Sequence, residues 1–371
     1  MTASIAVVGA GPAGAFCAWR LAAAGLDVTL YDPSHPREKP CGGGVTARVF
    51  ERWPELDPLR PLGRPAEVVR MRGPRAREVE FPMPAPIEIF PRAVLDGAIL
   101  EQAVLAGATL RPMRVHGVER TPDGTLTLDL GDAVVTHDFV VGADGASSVV
   151  RRSLVGSAPG SRASYATGGF HVTGLDEPDI VIEMLGDCPG YAWVFPRPGH
   201  ASVGIAVPVG RGNGTELRAR TLDLLARRYP GALDLPRLPY GASIPVGGGP
   251  VAGPGFALIG DAANANDAIT GEGIHHALDG GGILADTLAE VGPRDAPAVF
   301  ERRWADGPGG DLAACRRLAR TLYRPVVVDA SLVVARRSAR IRRVMASTAV
   351  EARPYRGLPA RLWREVVLGR A

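Results

Sequence analysis

Gly9, Gly11 and Gly14 follow the apolar run Ser4-Ile-Ala-Val-Val, and an acid, Asp32, stands 18 residues after the last of them. The run reads as a short buried strand and Ala15–Ala24 as a helix of small residues. Gly25 ends that helix, and Leu26–Leu30 forms a second strand. A GxGxxG turn between strand and helix has a definite chemistry. Gly9 permits the turn, Gly11 lets the backbone approach a pyrophosphate, and Gly14 lets helix and strand pack closely. The helix start, with Ala13 on its first turn, offers N–H groups and a positive dipole end to phosphates. Asp32 can accept bonds from ribose hydroxyls. Together these residues predict a dinucleotide site.

Further carboxylates stand where ligands of open α/β sheets bind, at the C-terminal ends of apolar strands. Phe139-Val-Val-Gly-Ala-Asp144-Gly is one such strand and Phe256-Ala-Leu-Ile-Gly-Asp261 another, and Gly271-Glu-Gly273-Ile274 opens a helix. Lys39-Pro-Cys41-Gly42-Gly43-Gly44-Val45 lacks side chains over three residues, so its backbone can lie against a flat ring. Cys41 beside it is either a small buried hydrophobe or a thiol that gates or protonates near that ring. Tyr191, Trp193 and Phe195 alternate along Tyr-Ala-Trp-Val-Phe-Pro196, so all three point to one face of a strand. They read as an aromatic wall for an apolar substrate. His275 and His276 are adjacent on a helix and should diverge, which argues against a shared metal.

The order of these segments resembles the FAD-dependent oxidoreductases of the aromatic-hydroxylase fold, which carry a GxGxxG turn, an internal Asp-Gly and a late Gly-Asp. The Pro-Cys-Gly-Gly segment and the Y-x-W-x-F-P strand, with Gly241-Ala-Ser-Ile-Pro245, are similar to the geranylgeranyl reductase branch. The resemblance implies FAD as cofactor, with NAD(P)H or another donor as reductant. It implies that Asp144 helps position the pyrophosphate, that Asp261 holds the ribityl chain, and that Gly271, Gly273 and Ile274 meet the flavin edge. Gly43, Gly44 and Val45 would run beside the flavin. Arg92, in Pro-Arg-Ala-Val-Leu-Asp96, matches the arginine of an R-x-x-L/F-D helix near it, and a strand near Val115 would lie beside the adenine. Cys41, Tyr191, Trp193 and Phe195 are the implied catalytic residues. The reaction implied is hydride transfer from flavin to a carbon–carbon double bond of a prenyl-like or other apolar substrate. A flavin-dependent monooxygenase acting on an aromatic or polyketide substrate is the alternative. Three departures bear on substrate and cofactor: Asn264 stands for a usual glycine, Ala268 for a usual proline, and Asp32 for the more common glutamate.

The elements that must position these groups give an α/β fold. A Rossmann-like FAD-binding domain, residues 1–157 and 250–295, is interrupted by a mixed β-sheet substrate domain, 158–249. Residues 62–90 lean to the substrate side, and 296–371 are helical. Strands are expected near 164–174, 179–185, 190–196, 201–208 and 238–246, and a helix over 215–229. Helical stretches are expected at Val326–Val334 and Leu358–Leu368.

Composition excludes several other functions. The 371 residues hold 42 basic side chains, of which Lys39 is the sole lysine. A GxxxxGK[ST] phosphate loop is therefore absent, and a halogenase-type lysine could be only Lys39. Four scattered cysteines without a Cys/His cluster predict neither disulfide framework nor metal, and a cytoplasmic setting. No apolar run reaches the ~18 residues of a membrane span. Residues 301–371 carry 16 arginines against 6 carboxylates, a local net of +10. This basic tail reads first as a solvated face and second as a contact for an anionic membrane or a partner. No nucleic-acid motif accompanies it.

Overall fold

The computed structural model describes residues 3–75, 77–156, 164–350 and 355–364. The expected domain boundary at 157/158 and the last residues of the expected helix Leu358–Leu368 lie outside these. Strands Ser4–Val8, Asp27–Tyr31, Phe139–Gly142 and Phe256–Leu258 form the centre of a six-stranded sheet, with Thr109–Arg111 and Ala252–Gly253 at its edges. All pairings but the last are parallel, and Ile5 sits opposite both Phe139 and Val28. Parallel strands covered on both faces need near-continuous apolar sequence, which Ile5–Val8 and Phe139–Val141 supply.

The helix Pro12–Ala23 lies against the late helix Ile274–Asp306. Small residues set that approach. A Cβ on Gly281 would stand 2.7 Å from the Ala13 carbonyl oxygen and 3.3 Å from Cys17 N; within the preceding turn, one on Gly14 would stand 1.9 Å from the Gly9 carbonyl oxygen. The late helix breaks at Gly292 (φ 71°), where Pro293 follows.

A second, eight-stranded sheet runs in the order Arg237–Pro245, Ser164–Thr173, His200–Pro208, Tyr191–Arg197, Ile180–Met184, Arg64–Arg72, Val79–Ile89, Gly44–Val45. Strands and helix of the 164–245 stretch fall close to their sequence expectation. The helix Gly214–Arg228 starts at an Asn213–Glu216 capping box. It buries Leu217, Leu224 and Leu225 against Val172, Val194, Val203 and Ile205 on one face of the sheet. The opposite face carries Tyr191, Trp193, Phe195 and Tyr240. Helices Pro308–Leu322, Pro325–Arg337, Ala339–Val350 and Leu358–Trp363 follow. Val328, Leu332 and Ala335 of the second pack on Val79 and Phe81.

A buried charged hub ties the helix Ala47–Arg52 to the late helix. Asp279 accepts from Trp53 Nε1 (3.0 Å) and Arg52 Nη1 (3.1 Å), and His275 Nε2 stands 3.2 Å from the same carboxylate. Burial alone would push His275 down, but Asp279 and Glu272 outweigh it and hold His275 up at about 9. Contrary to the sequence expectation, the two histidine rings do not diverge. They stack, with centroids 5.0 Å apart and planes 14° apart. Backbone positions one residue apart on a helix diverge by ~100°, and side-chain torsions close that gap.

Because the folded value of His275 lies above the unfolded one, its stabilisation is complete below ~6.5 and is lost as pH rises through about 9. Denaturant titrations from pH 6 to 10 should show about 3 kcal/mol of this dependence. His275→Gln should flatten the profile, and an unchanged profile would refute the ion pair.

Candidate active site

Strand ends bring the first group of expected residues together. Gly9 adopts φ +102°, and a Cβ there would lie 2.4 Å from the carbonyl oxygen of Ala143, next to Asp144. The turn of Gly260 comes up against Ala13, whose Cβ would stand 3.0 Å from a Cβ on that glycine. Gly9, Gly11, Ala13, Gly14, Asp144 and Asp261 therefore surround one junction at the C-terminal edge of the parallel sheet. Asp144 Oδ2 accepts from the backbone N–H of Val149 (2.6 Å), while its buried Oδ1 meets no donor. Burial, the largest influence, pushes this carboxyl up.

Asp32 lies just past the second strand, as placed from sequence, but its carboxylate is already busy. Oδ2 accepts from Ala10 N (2.8 Å) and meets His35 Nδ1 (2.7 Å), and Oδ1 accepts from Ser34 N, Ser34 Oγ and His35 N. These donors, with His35, outweigh the opposing effect of burial and hold Asp32 well below the usual carboxylate range. A ribose hydroxyl would have to share this carboxylate with the imidazole. Val115 is buried in an irregular link between the strands Thr109–Arg111 and Gly117–Arg120, so the strand expected near it begins at Gly117.

The glycine segment joins the two sheets. Gly44–Val45 pairs with Ile89 and Glu88 at the edge of the second sheet. Gly43 takes φ +86° because Phe90 O would stand 2.1 Å from a Cβ there. Gly42 lies flat against the Phe195 ring, 3.0 Å from where its Cβ would be. Glu38 accepts from the backbone N–H groups of Arg92 (3.2 Å) and Ala93 (3.3 Å), an acid at the start of the helix Arg92–Leu105. Arg92 makes two bonds of 2.8 Å to Asp96 and has Cys41 as a further neighbour. Cys41 Sγ accepts from Gly43 N at 3.3 Å. Lys39 is pushed down by burial and by Arg92, with Asp261 and Asp96 acting against both.

The decisive residue here was not found from sequence. The Arg197 side chain is fully enclosed. It donates to Glu38, to the carbonyl of Cys41 and to that of Gly42 (3.1 Å). Ser202 Oγ donates to the same Cys41 carbonyl at 2.7 Å and meets Tyr240 Oη at 3.1 Å. Arg197 directly follows the Y-x-W-x-F-P strand, which was the one signal available. Glu38, His171 and His200 also approach with ligand atoms within 4.8 Å of one another. The Arg197 guanidinium pairs with Glu38 and lies 3.3 Å from His200 Nε2, so a cation already stands there.

The late Gly-Asp segment completes the site. Asn264, standing where a glycine is usual, takes the left-handed conformation (φ 55°, ψ 37°) and is the one non-glycine with positive φ among the described residues. Asn266 Nδ2 bridges Asp261 Oδ1 and Pro245 O, both at 2.9 Å. Asn266 Oδ1 abuts Gly273, where a Cβ would lie only 2.1 Å away, and Ile274 begins the late helix. Tyr191 Oη donates to Thr270 O (2.6 Å) and crowds Gly271, leaving 2.2 Å for a Cβ. Burial first, then Asp267, pushes Tyr191 far up. Tyr165, Tyr191, Ile244, Val246, Ala268 and Tyr323 line a cavity of about 10 Å³ beside this loop, with Asp267 as its charged wall. Ala268, standing for proline, thus faces this cavity.

A dinucleotide cofactor fits these residues. The turn at Gly9 and Gly14 excludes side chains, while a Cβ on Gly11 would meet only His35 Nε2, at 3.7 Å. The buried Asp144 Oδ1 awaits a donor. Residues 2–185 match the FAD binding domain family. Menaquinone reductase of Mycobacterium tuberculosis is 32% identical over 98% of this chain and 95% of that protein. The digeranylgeranylglycerophospholipid reductase of Methanosarcina acetivorans is 30% identical over 83% of this chain and 82% of its own. The chain belongs to the geranylgeranyl reductase family of FAD-dependent oxidoreductases. The fold agrees. A geranylgeranyl bacteriochlorophyll reductase-like protein from Thermoplasma acidophilum superposes with a TM-score of 0.80 over 97% of this chain and 99% of that one, at 20% identity. The flavoenzyme would hold FAD along Gly9–Gly14, Asp144 and Asp261, with the glycine segment and Gly271–Ile274 at its other end.

Removing the Arg197 guanidinium takes the ion-pair partner from Glu38, which keeps only the N–H donors of Arg92 and Ala93, strands Gly42 O, and leaves Cys41 O with one donor. Arg197→Met should cost about 3–5 kcal/mol in denaturant unfolding, as for a broken buried pair. It should also weaken FAD retention. Wild-type stability in that variant would show that the junction is held by other contacts.

Proposed function

We propose that this flavoenzyme reduces a carbon–carbon double bond in a prenyl-like or other apolar substrate. The observation that supports this most is the cavity beside Gly271, walled by Tyr165, Tyr191, Tyr323 and aliphatic side chains. Relatives named as reductases of menaquinone and of a digeranylgeranyl glycerophospholipid point the same way. Bound FAD would supply the hydride, with a reduced nicotinamide or another donor replenishing the electrons.

The chain's own contribution is orientation, water exclusion and one proton. Tyr191 and Trp193, with ring centroids 5.8 Å apart, form the apolar wall, and Phe195 continues it to Gly42. Tyr191 is a poor acid, since its proton is committed to Thr270 O and burial holds it on the oxygen. We assign it to clamping the wall onto the loop. Cys41 Sγ, half-buried and steadied by Gly43 N, is the group we assign to protonating the carbon next to the one that receives hydride. Peripheral attachment to a membrane would bring such a substrate within reach.

Anaerobic turnover of a prenylated substrate should give a product heavier by two hydrogens in mass spectrometry. A product heavier by one oxygen, formed only in air, would overturn the reductase reading in favour of oxygenation. Cys41→Ser should retain FAD yet lose about 10²–10⁴-fold in turnover, the span of a general acid. Full activity in that variant would remove Cys41 from the mechanism. Mixing the oxidised enzyme with NADPH or NADH and following loss of flavin colour identifies the donor.

A further inference from the structure

The helix Pro325–Arg337 is apolar on two opposite sides. Val328, Leu332 and Ala335 face inward and are buried on Val79 and Phe81. Val326, Ala330, Val333 and Val334 face outward, and the three valines are 74%, 45% and 46% exposed. Their spacing, i, i+4, i+7, i+8, is that of a continuous stripe about 100° wide. A helix on the surface of a globular protein ordinarily turns polar residues to that side. Apart from Asp329, which accepts from Arg75 N, and Ser331, the polar residues collect at the end instead. Arg336, Arg337, Arg340, Arg342 and Arg343 fall within eight residues, and no carboxylate occurs from 330 to 350.

We propose that this face is the docking surface for an anionic lipid bilayer, with the valine stripe entering the interface and the arginine cluster meeting lipid phosphates. The helix has 13 residues, about 20 Å at ~1.5 Å per residue, too short for the ~30 Å hydrocarbon core. It would therefore lie in the plane of the surface, as amphipathic helices with basic margins do. No helix among the described residues is long and apolar enough to cross a membrane.

The position of the helix gives the docking a purpose. This rests on the proposed apolar substrate. Tyr323, two residues before the helix, lines the cavity beside Tyr191 and donates to Ile269 O at 2.7 Å. At about 10 Å³ that cavity has room for about one water, so a prenyl chain needs the neighbouring contacts to part. Met71, Met83, Met184 and Met345 pack around the inner side of the docking helix and its successor, and such flexible thioethers repack easily. Docking would set the cavity rim against the phase in which an apolar substrate dissolves.

The test uses the full-length FAD-loaded protein in flotation with vesicles of phosphatidylcholine alone and of phosphatidylcholine with phosphatidylglycerol. The wild type should float with the anionic vesicles only. Val326→Asp/Val333→Asp should lower the bound fraction at least about tenfold, and Arg336→Glu/Arg337→Glu should act similarly. Flavin content and melting temperature should stay the same, since these side chains are exposed. Absence of wild-type flotation, or equal flotation by both variants, would overturn the proposal. So would a wild-type dimer that Val326→Asp/Val333→Asp dissociates while vesicles are ignored, because the face would then belong to a second copy. Turnover of a short, detergent-dispersed substrate separates the two readings. Its absence in the wild type sinks the reductase assignment and leaves the flotation result standing.

Discussion

The Arg197 guanidinium lies where the second, eight-stranded sheet, the glycine segment and the start of the helix Arg92–Leu105 converge, and it is enclosed on every side. Its planar fork can serve several acceptors at once, which an ammonium could not do in the same geometry. By holding the carbonyls of Cys41 and Gly42 and the carboxylate of Glu38, it fixes the path of a segment that has almost no side chains of its own. Glu38 then passes the constraint to the backbone of Arg92 and Ala93. Cys41, the aromatic wall and Arg92 keep their relative places because of that one buried charge. Beside it, Ser202 donates to the same Cys41 carbonyl and meets Tyr240, so the acceptor that Arg197 holds is bound from two sides.

The nucleotide half was readable because its signals are local. Gly9, Gly11 and Gly14 sit within one turn, and a Cβ on Gly14 would collide with the Gly9 carbonyl inside it. Asn264 was readable for the same reason, since its left-handed backbone depends on little beyond its own residue type. The period-two placement of Tyr191, Trp193 and Phe195 carried over directly to one sheet face. What the sequence could not display were roles created by distant partners. Arg197 gains its importance from residues more than 150 positions away. The saturation of Asp32 by His35 depends on how one loop folds back. The stacked histidines and the irregular path at Val115 depend on torsions that no spacing rule records.

The division of labour across the eight-stranded sheet is equally physical. One side is closed by the helix Gly214–Arg228 with an ordinary aliphatic core. The other side is given over to large rings, and several of the hydroxyls on or against it find hydrogen-bond partners. Tyr191 reaches Thr270, Tyr240 reaches Val203 and Ser202, and Tyr323 reaches Ile269. The wall is therefore stiff at its polar tips and apolar along its faces.

That stiffness has a mechanical consequence. Tyr191 belongs to the cavity wall through its ring and to the 267–271 loop through its hydroxyl. A guest that widens the cavity must push the ring, and the ring pulls on Thr270, the immediate neighbour of Gly271. Filling the apolar side and reshaping the loop are thus a single displacement. One tyrosine thus joins the shape of the cavity to the path of the 267–271 loop.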